Sequence, residues 1–320
     1  MPDWDSEKLV AAFESGDRRA LSRLLSFVAD RDPKVLPILD RLFPLTGEAW
    51  RIGLTGPPGA GKSTLVNRLV EDYRKEDKSV GVVAFDPTSP FTGGALLGDR
   101  VRMEMVSRDP QVFIRSLATR GHLGGLAVGV DEACDLMDAF GKQLVLIETV
   151  GVGQSELEVA DSAETTVVVL VPQSGDSIQA MKAGLMEIAD IFVLNKCDRE
   201  DADRAHQELI SILELKQDGE EWRPPLVRTI AETGEGVAEL VRIIGEHRDY
   251  LANSGRLSER KKKRYAAKTR RLAEDELQIR LWTEERTQRR QAGFGRKVSP
   301  YELAKRIIDQ FYQEIRNEQT

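Results

Sequence analysis

Residues 53–64 read "GLTGPPGAGKST" and follow directly on a short apolar run that begins at Trp50. Gly56, four further residues and then Gly61-Lys62-Ser63 have the spacing of a phosphate-binding loop. Glycines in such a loop let backbone N–H groups surround phosphate oxygens, and the start of the following helix adds a favourable dipole. The stretch therefore predicts a nucleoside triphosphate site.

The residues of this loop have separate expected roles. Lys62 is expected to reach the β- and γ-phosphates and so to act in catalysis, and the hydroxyl of Ser63 is expected to ligate Mg²⁺. A strand-like run before the loop and a helix-like run after it give the required context, so a chance match in a glycine-rich turn is the weaker alternative. The residues expected around the phosphates are Gly59, Ala60, Gly61, Lys62, Ser63 and Thr64.

The segment "VLNKCD", which ends at Asp198, indicates the base. Asn195-Lys196-x-Asp198 at the end of a strand is the guanine signature of GTPases. A carboxylate at Asp198 can accept from both N1–H and the exocyclic amine of guanine, and adenine offers no such pair. Asn195 is expected to bond the other edge of the base, and the stem of Lys196 to lie on the ring. In the downstream loop "TIAETGEG", Ala231 is a candidate backbone donor to guanine.

The segment "LVLIETVGVGQ" ends a predicted strand in Glu148-x-x-Gly151. The backbone N–H of Gly151 is expected to approach the γ-phosphate, where a GTPase senses the third phosphate. Glu148 stands where most small GTPases carry Asp, and it is a candidate Mg²⁺ ligand and catalytic carboxylate. The alternative is a strand-end carboxylate that only caps a loop. Gln154 lies three residues past the glycine, so its position does not by itself assign it to the attacking water.

A loop punctuated by Gly and Pro, "FDPTSPFTGGALLGDRVRM", follows the second predicted strand over residues 85–103. Asp86 at the strand end and Asp99 near the end of the loop are further candidate catalytic carboxylates and Mg²⁺ ligands. The loop has the character of a switch segment beside the phosphates, and an ordinary surface connection is the alternative. A second polar loop, "PQSGDSIQAMKAG" over residues 172–184, indicates by itself only the start of a helix.

Composition narrows the function classes. The chain has 320 residues, is 41% hydrophobic and carries a net charge of −7, which argues against a general nucleic-acid binder. Residues 256–297 form a basic region that includes the run 261–264, and a solvated helix face is favoured there over a contact with RNA or an acidic protein. No apolar run approaches the ~20 residues of a membrane helix. The lone Cys134 and Cys197 fit a reducing compartment. We therefore expect a cytoplasmic protein with no membrane and no nucleic-acid partner.

Hydrophobic patterning divides the chain into three predicted segments. Residues 1–46 are expected to form an N-terminal helical extension, interrupted at Asp32-Pro33. Residues 47–245 contain six short β-rich runs that alternate with helical stretches. This order predicts an α/β phosphate-loop domain with a mostly parallel sheet flanked by helices.

The third segment, residues 246–320, is rich in strong helix formers. Its last helix is predicted to begin at the capping box Ser299-Pro300-Tyr301-Glu302. An apolar stripe follows, formed by Ala304, Ile307, Ile308, Phe311 and Ile315. By this pattern alone, a two-helix arm can fold back on its own domain or pair with a second copy.

Together these motifs resemble those of the MeaB/ArgK-type GTPases. The resemblance runs from about residue 10 to the C-terminus, and no motif residue departs from the pattern. Cys197 falls at the variable position of the guanine signature. The blocks that carry it, in order, are "GPPGAGKST", "FDPTSPFTGGALLGDRVRM", "FIRSLATRGHLGGL", "IETVGVGQSE", "GDSIQAMKAGLMEIADIFVLNK" and "NKCD".

The resemblance implies a SIMIBI-class GTPase whose N-terminal helices precede the core and whose C-terminal arm forms a homodimer. It implies GTP or GDP bound with Mg²⁺, and slow hydrolysis that a partner stimulates. That partner is an adenosylcobalamin-dependent acyl-CoA mutase, above all methylmalonyl-CoA mutase. The GTPase would gate loading of the intact cofactor and protect or reactivate the mutase. The family's third switch matches residues 172–184, which makes Asp176, Gln179 and Lys182 candidate switch or partner residues.

Three other protein classes remain as alternatives. A nickel-insertion GTPase of the hydrogenase or urease type shares the core but needs soft or imidazole ligands, and this sequence has three separated histidines and two lone cysteines. An ATP-using kinase or ligase is disfavoured by Asn195 and Asp198. An interaction protein with a vestigial nucleotide site is disfavoured by the complete motif set.

Overall fold

The computed structural model describes residues 6–87, 109–119, 127–149, 155–172, 184–215, 221–295 and 298–318. The chain begins with helices α1 (Ser6–Glu14), α2 (Arg18–Asp30) and α3 (Val35–Leu42), followed by a 3₁₀ turn at Phe43–Leu45. Asp17 caps α2 by accepting from the backbone N–H of Arg19 at 2.7 Å. The predicted interruption at Asp32-Pro33 is confirmed, because it separates α2 from α3.

The centre of the fold is a parallel sheet, which confirms the predicted class. In the described residues it has seven strands in the order β3-β2-β4-β1-β5-β6-β7, and every pairing between them is parallel. All carboxyl ends of these strands therefore meet at one edge of the sheet. The strands are β1 (Trp50–Thr55), β2 (Val80–Pro87), β3 (Val112–Thr119), β4 (Leu144–Glu148), β5 (Thr165–Leu170), β6 (Ile191–Asn195) and β7 (Leu226–Thr229).

Helices cover both faces of the sheet, as expected for strands that are apolar throughout. On one face, α4 (Lys62–Lys75) and α9 (Val237–Asn253) pack on strand residues such as Ile52 and Val167. The helices on the other face include α5 (Ala127–Ala139), α6 (Ser155–Ser162), α7 (Leu185–Ile188) and α8 (Ala202–Leu215). There, α1–α3 and α5 pack around Val83 and Val145, whereas α7 and α8 pack around Phe192.

The N-terminal helices share a core with the sheet. The apolar face of α2, formed by Leu21, Leu24, Leu25 and Val28, is buried, and α2 packs against α5 and β3. Arg18 reinforces this contact by donating to the carbonyl oxygens of Pro110 at 2.5 Å and Val112 at 2.7 Å. The division of the chain at residues 46 and 245 stays a prediction.

Strand β3 was not predicted from its local sequence. Its residues "VFIRSLAT" include Arg115 and Ser116, which are half-buried, and the strand lies at the edge of the sheet beyond β2. An edge strand with polar residues in its middle lacks the continuous apolar run that marks strands buried on both faces.

Residues 1–260 and 261–320 form two compact units. Helix α10 (Arg256–Leu281) crosses the boundary, and α11 (Glu284–Gly295) and α12 (Pro300–Glu318) follow. The expected two-helix arm is thus wrong in its helix number, because the described residues contain a break between α10 and α11. Thr283 begins a new helix there by accepting from the N–H of Arg286 at 3.3 Å.

The predicted cap of α12 is confirmed, since Ser299 Oγ accepts from the N–H of Glu302 at 3.2 Å. Of the predicted stripe, Ile307 is buried and Ile308 is exposed. None of the helices in the described segments is both long and apolar enough to cross a membrane.

Candidate functional site

The phosphate loop lies between the carboxyl end of β1 and the start of α4. Gly56 has φ +138°, and a Cβ added there would lie 2.1 Å from the carbonyl oxygen of Val169 in β5. Gly61 has φ +87°, and an added Cβ would lie 2.4 Å from Nδ2 of Asn195. Both positions therefore require glycine, because neighbouring atoms leave no space and the backbone is left-handed.

Lys62 is turned back over this loop. Its ammonium donates to the carbonyl oxygens of Gly56 at 2.7 Å and Pro57 at 3.0 Å, and the residue is only 6% exposed. The positive charge thus lies inside the loop, where the N-terminus of α4 and the loop amides also favour an anion. The phosphate-loop motif predicts that the phosphates bind at this position.

Two of the predicted Mg²⁺ ligands are in direct contact. Ser63 Oγ donates to Glu148 Oε1 at 2.5 Å. Glu148 ends β4 and is paired with Leu54 in β1 and Ala84 in β2, and it is 7% exposed. A hydroxyl and a buried carboxylate side by side are hard oxygen donors of the kind that Mg²⁺ prefers. The donor set therefore fits a magnesium ion.

Asp86 lies near the same edge, two residues beyond Ala84 in β2, where its backbone is paired with Ala118. Its side chain belongs to the part of the chain that is not described. The other predicted site residues outside the described ranges are Asp99, Gly151, Asp176, Gln179 and Lys182.

Asn195 connects three segments of the chain. Its Nδ2 donates to the carbonyl oxygen of Ala60 in the phosphate loop at 2.8 Å. Its Oδ1 accepts from Thr229 Oγ1 and from the backbone N–H of Ala231, both at 3.0 Å. The side chain is 1% exposed. Both acceptor positions of Oδ1 are thus filled within the protein, and one N–H of Nδ2 has no acceptor among the described residues.

Lys196 and Asp198 follow at the end of β6. Lys196 has φ +62°, and its ammonium donates to the carbonyl oxygen of Gly59 at 2.7 Å. The lysine therefore makes a second link to the phosphate loop. Asp198 is exposed, and its carboxylate has no hydrogen bond or ion pair with any residue that the structure describes.

Sequence reasoning missed two residues of this region, Thr229 and Arg68. Thr229 fills one acceptor position of Asn195. Arg68, in the second turn of α4, donates to the carbonyl oxygen of Ala231 at 3.0 Å. Thr229 opens the segment "TIAETGEG", but the guanine signature gives it no role, and the three-dimensional packing of α4 against the loop after β7 identifies Arg68.

The titratable groups with a shifted pKa lie mainly away from this edge of the sheet. Burial, together with the nearby guanidinium groups of Arg18 and Arg74, lowers the pKa of Lys142 to about 8. Lys142 precedes β4 and donates to the carbonyl oxygen of Gln111 at 2.9 Å. It lies at the amino ends of the strands, opposite the phosphate loop.

A second group of titratable side chains at these amino ends surrounds Asp190. Burial alone would raise its pKa, but hydrogen bonds from Arg260 at 2.6 and 2.9 Å and the nearby His247 outweigh burial and lower the pKa. His247 Nε2 is 3.3 Å from Asp190 Oδ1 but lacks hydrogen-bond geometry, so we treat it as an electrostatic contact. Arg260 also donates to the carbonyl oxygen of Glu164. The start of α10 is thereby fixed to the loops before β5 and β6.

Comparisons with known proteins agree with the geometry. Residues 21–286 match the family described as methylmalonyl-CoA mutase-associated GTPase MeaB. A putative GTPase of Pyrococcus abyssi is 52% identical over 81% of both chains. The GTPase ArgK of Escherichia coli is 35% identical over 86% of both. A crystal structure of an LAO/AO transport system kinase, 26% identical, covers 98% of this chain and 99% of its own with a TM-score of 0.69. The resemblance carried by the motifs is confirmed.

Proposed function

The chain belongs to the family of methylmalonyl-CoA mutase-associated GTPases, and we propose that its GTP hydrolysis serves a chaperone cycle on an adenosylcobalamin-dependent acyl-CoA mutase. In this cycle the GTPase gates loading of intact adenosylcobalamin and protects or reactivates the mutase. The family description and the completeness of the nucleotide motifs support the proposal. The observation that carries the site assignment is the contact of Ser63 with Glu148 beside the phosphate loop.

We assign the phosphates to the loop from Gly59 to Thr64. On binding, the ammonium of Lys62 exchanges the carbonyl oxygens of Gly56 and Pro57 for oxygens of the β- and γ-phosphates. There it offsets the negative charge that develops during phosphoryl transfer. The N–H of Gly151 is assigned to the γ-phosphate.

We assign Mg²⁺ to Ser63 and to carboxylates at the same edge, namely Glu148, Asp86 and Asp99. When bound, the ion supplies positive charge at the phosphate oxygens. Ser63 Oγ donates to Glu148 Oε1 at 2.5 Å, so the two candidate ligand oxygens already lie side by side at this edge. An ion held by them would add its charge to that of Lys62, which precedes Ser63 in the chain.

We assign guanine recognition to the end of β6. Asp198 is exposed and accepts from N1–H and the 2-amino group of the base. Asn195 acts chiefly as a bracket between loops, and its remaining Nδ2 hydrogen faces an acceptor on the other edge of guanine. The N–H of Ala231 already donates to Asn195 Oδ1, so guanine and Asn195 would have to share this donor.

We assign the partner response to three loops, residues 86–100, 149–156 and 172–184. The first two reach Mg²⁺ and the γ-phosphate by motif position, whereas Asp176, Gln179 and Lys182 of the third face the mutase or complete the site when it docks. We further propose that the arm, residues 246–320, forms a homodimer. The exposed apolar side chains of Ile279 and Tyr301 support this.

The test is GTP hydrolysis with and without a purified methylmalonyl-CoA mutase. Gln179→Ala and Lys182→Ala should leave basal turnover nearly unchanged and reduce the mutase-stimulated rate. Lys62→Ala should lack both activities. Transfer of adenosylcobalamin to apo-mutase should require GTP hydrolysis by the wild-type protein. Mutase that neither stimulates hydrolysis nor receives cofactor faster in the presence of this protein would refute the proposed function.

A further inference from the structure

Arg68 links the phosphate-loop helix to the loop that follows β7. We define the base loop as residues 230–236. Arg68 Nε donates to the carbonyl oxygen of Ala231 at 3.0 Å, and Nη2 donates to that of Glu232 at 2.5 Å. Its third nitrogen, Nη1, donates to Glu71 Oε2 at 2.8 Å within α4. All three guanidinium nitrogens are thus occupied, and two of them hold consecutive carbonyl groups of the base loop.

The base loop has its own turn, but that turn does not orient these two carbonyls. The N–H groups of Thr233 and Gly234 donate to the carbonyl oxygen of Ile230 at 3.1 and 2.9 Å. Ile230 and Glu235 close the loop as an isolated antiparallel bridge. These bonds fix the ends of the loop, so the direction of the Ala231–Glu232 peptide group depends on Arg68.

The direction of the Ala231–Glu232 peptide group decides which backbone N–H of the base loop can donate to a ligand. In a trans peptide the N–H points away from the carbonyl of the same group. With the Ala231 carbonyl turned toward Arg68, the N–H of Glu232 therefore points away from α4. It has no acceptor among the residues that the structure describes, whereas the N–H of Ala231 is occupied by Asn195.

We propose that Arg68 is a positioning residue for base selectivity, because it orients the Glu232 N–H as a donor to the 6-oxygen of guanine. The inference rests on the proposed guanine site and names a recognition element beside Asp198. Adenine carries an amine at its 6-position, which cannot accept from this amide. Asp198 reads the N1–H and 2-amino side of the base, so the two elements recognise different parts of guanine.

The experiment measures KM and kcat of Arg68→Ala with three nucleotides. GTP has both recognition features, ITP keeps the 6-oxygen but lacks the 2-amino group, and 2-aminopurine riboside triphosphate keeps the amine but lacks the oxygen. We expect KM to rise roughly tenfold for GTP and ITP, the size of one lost hydrogen bond to a well-placed donor. For the 2-aminopurine nucleotide KM should change less than about twofold. The kcat values should stay close to wild type, because Lys62 and Ser63 are untouched.

Arg74→Ala is the matched control. Arg74 also lies on α4 and makes two bonds of similar length, to Asp109 at 2.7 Å and to the carbonyl oxygen of Lys78 at 2.8 Å. It does not reach the base loop, so its loss should leave all three KM values unchanged. If Arg68→Ala folds poorly, Arg68→Gln keeps much of the side-chain volume and should show a smaller shift of the same selectivity.

The outcomes separate this inference from the proposed function. A wild-type protein without preference for GTP over ATP would overturn the guanine assignment itself. A wild-type preference for GTP, together with KM values in Arg68→Ala that are unchanged or raised equally for all three nucleotides, would overturn only the role of Arg68. A selective loss with GTP and ITP supports it.

Discussion

Replacing Asn195 by alanine should destabilise the protein even when no nucleotide is present. The side chain is 1% exposed and makes three hydrogen bonds, to the carbonyl oxygen of Ala60, the N–H of Ala231 and the hydroxyl of Thr229. Ala60 and Ala231 are themselves buried. The substitution therefore leaves two buried backbone groups without their partner.

The magnitude follows from these two groups. A buried donor or acceptor that loses its partner costs about 1–3 kcal/mol. The hydroxyl of Thr229 can rotate toward another acceptor, so it adds little. We expect a loss of about 2–4 kcal/mol in the free energy of unfolding, which corresponds to a decrease in Tm of roughly 5–15 °C for a unit of this size.

The assay is urea and thermal unfolding of Asn195→Ala and Thr229→Val in nucleotide-free buffer. Thr229→Val keeps the shape of the side chain and removes only one contact of Asn195, so it should cost about 0.5–1.5 kcal/mol. Asn195→Ala should in addition raise KM for GTP. If its free energy of unfolding equals that of wild type, Asn195 does not hold the loops together in solution, and our interpretation of this residue is wrong.

Three further changes test other parts of the structure. Lys62→Ala should abolish hydrolysis by removing the charge beside the phosphates, and wild-type turnover in this variant would show that the loop is not the active site. Asp198→Asn should weaken GTP binding and favour xanthosine triphosphate, whose added 2-carbonyl prefers a donor, as competition binding would reveal. The pKa of Lys142 is lowered to about 8, so between about pH 8 and 10.5 the unfolded state binds more protons and stability rises with pH. Lys142→Met should lack this rise in urea unfolding across that window, and an identical pH dependence would contradict the assigned pKa.

Much of the fold could be predicted from local sequence, because parallel strands covered on both faces are continuous apolar runs. "TTVVVLVP" and "DIFVLNK" contain β5 and β6, and each of them has a neighbouring strand on both sides. The same argument explains the failure at β3, where an edge strand tolerates Arg115 and Ser116. The break at Thr283 was missed for a different reason, because a single capping hydroxyl starts a new helix there within a run of good helix formers.

The candidate site could be predicted only as far as its residues lie in motifs. Glycine spacing predicts the phosphate loop because close approach of the backbone requires glycine. At Gly56, an added Cβ would lie 2.1 Å from the carbonyl oxygen of Val169. The role of Arg68 depends on the packing of α4 against a loop more than 160 residues later in the chain. Such a contact leaves no local pattern. Asn195 was predicted as a base ligand, yet its three bonds within the protein were not foreseeable from the signature alone.

Hydrogen bonds connect the proposed base and phosphate ends of the site, and this bears on where a switch can act. Asn195 and Lys196 donate to carbonyl oxygens of Ala60 and Gly59, so the guanine signature and the phosphate loop form one hydrogen-bonded unit. In the proposed site, Lys62 exchanges its two carbonyl partners when phosphates enter. On the other side, Thr149 ties the end of β4 to β1 through the carbonyl of Leu54 at 3.1 Å. Since these contacts hold the base site and both strand ends, we expect the response to the third phosphate to begin in the chain after Thr149, and not in the guanine signature.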